Sequence, residues 1–101
     1  MSNSFDVQRT NNETRLTLRG SLDINSAPVL SEEIDRIIAA KPPKVVVDLA
    51  PLDLIDSSGV AALVKLYKGI RNASAEITMV GARDQPLAIF KLLRMDKVFN
   101  L

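Results

Sequence analysis

Four consecutive residues, Asp56-Ser57-Ser58-Gly59, hold the densest chemistry in the chain. They stand directly before a stretch in which Val60, Leu63, Val64, Tyr67 and Ile70 recur at three- and four-residue spacing, the pattern of an amphipathic helix. A serine hydroxyl at an exposed helix start can accept a phosphoryl group, which adds about −1.5 to −2 charges and three acceptor oxygens. A helix N-terminus tolerates such an anion, whereas Asp56, Asp53 and the loop acid Asp23 repel it. Phosphorylation there is expected to spare the fold while ending the docking of a partner. The plainer use of the same residues is capping, with Asp56 or Ser57 closing the helix start, the spare serine pointing into water and Gly59 incidental.

Enzymatic readings lack their parts. A Ser-His-Asp arrangement needs an imidazole base, and the chain has neither histidine nor cysteine. No Ser-x-x-Lys spacing supports a serine-lysine dyad, and no G-x-x-x-x-G-K-[ST] or G-x-G-x-x-G cradle awaits a nucleotide. Asp48, at the end of an apolar run, resembles the acceptor of a receiver domain. The acidic cluster such a site needs after its first strand is replaced here by alternating residues and Asn11-Asn12. The chain is therefore expected to be no enzyme and to hold no cofactor and no metal.

Composition narrows the partners further. The 101 residues, 47% hydrophobic and 25% charged, are expected to form one domain over residues 1–101 with a single core. Thirteen basic residues against twelve acidic ones give a net charge of +1, and there are only four aromatics, so neither phosphate capture nor base stacking points to nucleic acid. The longest apolar run, Val60 to Val64, falls far below the roughly 20 residues of a membrane helix, and Met1-Ser2-Asn3-Ser4 does not open a signal peptide. A cytoplasmic protein without direct membrane insertion is expected.

The elements that must position the serine turn follow from periodicity. Phe5, Val7 and Arg9 alternate with polar residues, and Arg15 to Arg19 alternates again after Asn11-Asn12, which predicts an antiparallel hairpin. Gly20 ends the second strand, and Ser21 to Ser26 reads as a loop with Ser26 as N-cap of a first helix. That helix places Leu30, Ile34, Ile37 and Ile38 on one face, carries Pro28 in its first turn, and stops at Lys41-Pro42-Pro43. Lys44 to Leu49 is a β-branched run taken as the central strand, and Ala50 to Ile55 connects it to the serine turn and second helix. Glu76 to Val80 predicts another strand, Asp84 a cap, Gln85 to Met95 a third helix, and Asp96 to Leu101 a tail docking through Val98, Phe99 and Leu101. The order β, β, α, β, α, β, α demands a mixed sheet with helices packed on it, an α/β fold.

Gly20-Ser21-Leu22-Asp23 after two strands, Val45-Val46-Val47-Asp48-Leu49, and Ile55-Asp56-Ser57-Ser58-Gly59-Val60 opening a helix together carry a resemblance. The whole chain resembles a stand-alone sulfate-transporter and anti-sigma-factor-antagonist (STAS) domain of the bacterial anti-sigma-factor antagonist type. The resemblance implies that Ser57 is the phosphoacceptor and that Asp23 lies beside its turn. It implies an unphosphorylated form that binds an anti-sigma factor, a histidine-kinase-like ATPase that is also its serine kinase, releasing a sigma factor. Phosphorylation breaks that complex and a serine phosphatase restores it. ATP then belongs to the partner. The implied docking surface is Asp23, Asp56, Ser57, Ser58, Gly59, Ala61 and Lys65, although Lys65, Lys68 and Arg71 equally suit a solvated face. The same family also implies an alternative, an accessory subunit of a lipid-transport ATPase or a module of another bacterial signalling complex.

Overall fold

The computed structural model describes residues 5–101; Met1-Ser2-Asn3-Ser4, read above for a signal peptide, lies outside the described residues. The expected hairpin is present as β1 (Phe5–Arg9) and β2 (Thr14–Leu18), paired antiparallel with Phe5 opposite Leu18 and Val7 opposite Leu16. Its turn is closed by Thr10, whose N–H donates to Glu13 O at 2.8 Å. Beyond β2, Gly20 adopts φ +68°, a conformation that side-chain-bearing residues rarely take. The kink swings the chain out of the first sheet, and it resumes at once as β3 (Gly20–Leu22). That strand corrects the expectation of a loop from Ser21 to Ser26.

α1 (Ala27–Ala39) carries Pro28 in its first turn and buries Leu30, Ile34 and Ile37, as its spacing predicts. Ser26 stands at the N-cap position but makes no capping bond; its hydroxyl turns back toward Ser21 and Asp23 instead. β4 (Lys44–Asp48) runs parallel to β2 on one side and to β6 (Glu76–Val80) on the other, giving the sheet order β1-β2-β4-β6. Between β4 and the serine turn the expected connection contains a further strand, β5 (Leu52–Ile55), which pairs in parallel with β3 as a separate two-stranded sheet. Strands of three and four residues are too short to show a period, so pairing, not pattern, makes them strands.

Side chains alternate across a strand, so Leu16 and Leu18, Val45 and Val47, and Met79 share the face that meets the helices, and all are buried. The opposite face presents Arg15, Thr17, Asp48 and Thr78, half-buried or exposed. α2 (Ser57–Asn72) lays Val60, Leu63, Leu66 and Ile70 onto the core and runs beside α1. At their crossing a Cβ on Gly69 would stand 2.4 Å from Ile38 Cδ1, so a bare backbone lets the helices meet.

The C-terminal part differs in detail from its sequence pattern. The third helix is α3 (Asp84–Leu92), with Arg83 rather than Asp84 at the N-cap position, and Asp84 instead accepts from Arg83 Nη1 at 2.8 Å. Arg94 at φ +60° then breaks the chain into a short α4 (Met95–Val98) where the pattern predicted continuous helix followed by tail. Phe99 docks as expected, edge-on to Phe90 at 5.5 Å and tilted to Tyr67 at 5.4 Å, and Leu101 packs half-buried beside it, whereas Val98 remains exposed.

Leu66 is wholly buried beneath α2. Leu66→Ala is expected to cost about 2–5 kcal/mol, read as a lower urea midpoint with an unchanged slope. An unchanged midpoint would remove α2 from the core. Across the hairpin, the hydrogen bond from Arg19 holds the Asp6 carboxyl below the usual carboxylate range, against an opposing effect of desolvation and with Coulombic attraction to Arg19 adding to it. Because the folded value is the depressed one, the pair's contribution is in force above the unfolded Asp pKa and is lost as pH falls through the folded one. Carboxyl NMR titration is expected to give a low Asp6 midpoint that returns to the ordinary value in Arg19→Gln.

Candidate functional site where beta 3 and beta 5 meet helix alpha 2

The parallel β3–β5 pair sets Ser21 opposite Leu54 and Leu22 opposite Ile55, and it closes with Asp56 N–H donating to Leu22 O at 3.1 Å. Both strands end together. The loop after β3 and the turn after β5 therefore emerge side by side at the carboxyl ends of the strands, where open α/β sheets place their sites.

Asp56 is the joint between them. In an extended conformation it occupies the N-cap of α2, and its Oδ1 accepts from Ser58 N–H at 2.9 Å and Gly59 N–H at 3.1 Å. Its other oxygen, Oδ2, accepts from Ile24 N–H in the β3 loop at 3.2 Å. One carboxylate thus satisfies two orphan helix donors and ties the neighbouring loop to the helix start. Asp23 stiffens that loop from within, its Oδ1 accepting from Asn25 N–H at 2.9 Å and Ser26 N–H at 3.2 Å. The Ser26 hydroxyl accepts from Asp23 N–H at 3.0 Å and donates to Ser21 O at 3.1 Å.

Capping falls to Asp56, which leaves the exposed Ser57 hydroxyl free of that duty at the first position of α2. Ser58 is half-buried. Gly59 is buried, and a Cβ there would lie 2.7 Å from Ile55 Cγ1 and 2.8 Å from the Leu22 carbonyl oxygen, so its bareness seats α2 directly on β3 and β5. Ala61 is exposed on the first turn of the helix. Lys65 reaches away to α1, where its Nζ donates to Ser31 Oγ at 2.7 Å and pairs with Asp35 at 2.7 Å. The structure therefore brings Asp23, Asp56, Ser57 and Ser58 together, keeps Gly59 beneath them and Ala61 beside them, and engages Lys65 elsewhere.

The surrounding charges are also placed. Asp53 faces Arg83, whose Nη2 lies 3.2 Å from Asp53 Oδ1 and whose Nε donates to Ala50 O at 2.7 Å. Hydrogen bonds to Asp84 and then Asp53 push the Arg83 guanidinium further above its ordinary value, so its charge is permanent. Asp48 accepts from Ala50 N–H at 3.0 Å and pairs with Arg15 at 3.5 Å, a turn-closing role rather than that of a receiver acid. Among the described residues no group of three His, Cys, Asp or Glu side chains is gathered as a metal ion would require.

Three residues at the site, Ile24, Leu54 and Gln85, lie outside those singled out from the sequence. Ile24 and Leu54 are 69% and 52% exposed, so apolar surface flanks the acidic turn. Gln85 of α3 donates to and accepts from the backbone of Ile55, and with β3, β5 and Asp56 it bounds a cavity of about 280 Å³. An apolar residue in the otherwise polar Asp23–Ser26 loop was a visible cue for Ile24. None existed for Gln85, because its partner lies 30 positions away.

Asp56→Ala is expected to lower stability by about 1–2 kcal/mol by leaving helix donors uncapped, with Asp56→Asn milder. Hydrogen exchange is the sharper check: the amides of Ser58, Gly59 and also Ile24 should all exchange faster in Asp56→Ala. Protection of Ile24 unchanged from wild type would break the proposed link between loop and helix.

A family profile described as "Mlab, STAS domain" matches residues 5–101. The chain is 20% identical over 101 residues to the anti-sigma-B factor antagonist of Bacillus subtilis, covering all of this chain and 92% of that protein. The crystal structure of an anti-sigma factor antagonist from Mycobacterium paratuberculosis superposes with TM-score 0.81 at 22% identity, over 94% of this chain and 80% of that one. The Bacillus cell fate determinant SpoIIAA in its phosphorylated form superposes with TM-score 0.76 at 16% identity, over 92% and 86%. SpoIIAA has also been solved unphosphorylated, with TM-score 0.73 at 16% identity over 96% and 99%. At these identities the superpositions establish the fold.

Proposed function

The chain belongs to the STAS-domain family, and we propose that it is an anti-sigma-factor antagonist whose partner binding is switched off by phosphorylation at Ser57. The observation that carries this reading is the division of labour at the start of α2, where Asp56 caps the helix and Ser57 stands exposed and free beside it. The names of the curated relatives support the antagonist role, and a neighbour of the same fold is known in phosphorylated and unphosphorylated forms.

In this mechanism the unphosphorylated chain docks on an ATP-binding anti-sigma factor through Asp23, Ser57, Ser58 and Ala61, with Ile24 and Leu54 supplying apolar contact. Docking releases the sigma factor. The same partner is the serine kinase: Ser57 Oγ attacks the terminal phosphorus of its ATP, ADP departs, and the hydroxyl proton is lost to a base of the partner or to water. The new phosphate brings about −1.5 to −2 charges to a surface already holding Asp23 and Asp56. The helix N-terminus stabilises that anion locally, so the fold persists while an interface tuned to a neutral hydroxyl is repelled. A serine phosphatase restores binding. Lys65 would join the docking surface only by leaving Asp35, and Asp56 acts as the brace of the turn more than as a contact. No helix among the described residues is long and apolar enough to cross a membrane, and the switch is proposed to operate in the cytoplasm.

Affinity capture from the native bacterial lysate, with wild type, Ser57→Ala and Ser57→Asp as parallel baits, tests the switch. Wild type and Ser57→Ala are expected to retain a histidine-kinase-like ATPase. Ser57→Asp should bind it about tenfold or more weakly, a loss of roughly 1.4 kcal/mol or above, although a carboxylate carries less charge than a phosphate. Phosphopeptide mapping of protein treated with that partner and ATP should place the phosphate on Ser57. Equal affinity of all three baits, or phosphate found only elsewhere, would refute the switch. A transporter ATPase retained by wild type and Ser57→Asp alike would make the protein an accessory subunit and Ser57 a contact.

A further inference from the structure

Gln85 is the second residue of α3 and has no part in the switch described above. Its side-chain amide nevertheless closes both backbone groups of Ile55, with Oε1 accepting from Ile55 N–H at 2.9 Å and Nε2 donating to Ile55 O at 3.0 Å. A primary amide offers the same donor and acceptor as a peptide group, so Gln85 completes the open edge of β5 like a single residue of a further strand. Backbone groups point alternately to the two sides of a strand, and the next N–H, that of Asp56, turns the other way to Leu22 O at 3.1 Å. The peptide joining Ile55 to Asp56 is gripped from both sides, one residue before Ser57.

The delivery of Gln85 is itself constrained. Arg83, two residues earlier, donates to Ala50 O at 2.7 Å and to Asp53 Oδ1 at 3.2 Å, which pins the start of α3 to the β4–β5 connection and to β5 itself. Ile55 is only 3% exposed, so water is a poor substitute for the amide.

We propose that Gln85 is a positioning residue for the phosphorylation turn. Its bond to Ile55 O orients the Ile55–Asp56 peptide while its bond from Ile55 N–H holds the peptide before it, and through them the Asp56 carboxylate and the direction in which α2 presents the Ser57 hydroxyl are set. Its functional meaning rests on the Ser57 reading, but its physical content does not. A group that acts on an acceptor through the backbone can tune reactivity without touching either the kinase or the phosphate.

The test uses the isolated full chain and needs no partner: amide hydrogen exchange and nitrogen–proton NMR spectra of wild type, Gln85→Leu and Gln85→Glu. Gln85→Leu keeps apolar bulk and removes both bonds. It is expected to raise Ile55 amide exchange by about tenfold or more relative to wild type and to displace the resonances of Asp56, Ser57 and Ser58, leaving Val46 and Leu66 in place. Gln85→Glu supplies a rescue read by pH, because a neutral carboxyl has one donor and one acceptor like the amide, whereas a carboxylate has acceptors only. With wild type titrated alongside, the Ser57 resonance of Gln85→Glu should lie near its wild-type position at low pH and depart from it as the introduced carboxyl ionises. The proposal is overturned if Ser57 and Ser58 stay unmoved in Gln85→Leu, if they shift only in step with Val46 and Leu66, or if Gln85→Glu shows no recovery beyond the wild-type titration. Failure of the capture experiment with these shifts intact would sink the phosphoswitch and leave the positioning role standing.

Discussion

The site depends on one carboxylate whose two oxygens have different tasks. Asp56 Oδ1 holds the first amides of α2 and Oδ2 holds Ile24 in the loop after β3, so the helix start and the loop share a single charged acceptor. Charge-assisted bonds to backbone amides are roughly twice as strong as neutral ones, which suits a joint that holds two segments at once. The same arrangement frees Ser57. Were the serine the cap, its hydroxyl would be committed to the backbone amides instead of standing free.

The joint can form only because two short strands pair away from the main sheet. Gly20 turns the chain out of β2, and β3 then runs beside β5, so the loop bearing Asp23 and the turn bearing Ser57 arrive together. Gly59 lets α2 sit directly on Leu22 and Ile55, while Gln85 and Arg83 fasten the far edge of β5 to α3. The serine turn is therefore held from the loop before α1, from β3 and from the start of α3. The surface it presents combines the exposed apolar Ile24 and Leu54 with the acidic Asp23 and the neutral Ser57. Under the proposed switch, burial of apolar area supplies affinity on this surface and charge added at its centre withdraws it.

Much of this was legible before any coordinates. The hairpin, α1 and α2 follow from hydrophobic period, β4 and β6 from strand-forming runs, and the Asp-Ser-Ser-Gly turn and its family are visible in the residues themselves. Period is a local property, readable wherever an element is long enough to repeat it. The errors fall where elements are short or where a side chain has a choice of partner. Ser26 and Asp84 are good cap residues by type, yet the hydroxyl of one serves the loop behind it and the carboxylate of the other serves Arg83.

The amino-acid sequence by itself determined the layered α/β class, the position of Ser57 at a helix start and the family to which the chain belongs, because those rest on neighbours within a few residues. Only the tertiary structure decided that β3 and β5 are strands, that Asp56 rather than Ser57 caps α2, that Lys65 serves α1, and that Gln85 grips Ile55. Each of those outcomes is a contact between segments some 30 residues apart, apart from the capping choice, which the pull of Ile24 on Asp56 accompanies from 32 residues away. Hydrogen bonds over such separations are selected by which backbone groups the whole fold leaves unpaired, and no local pattern carries that information.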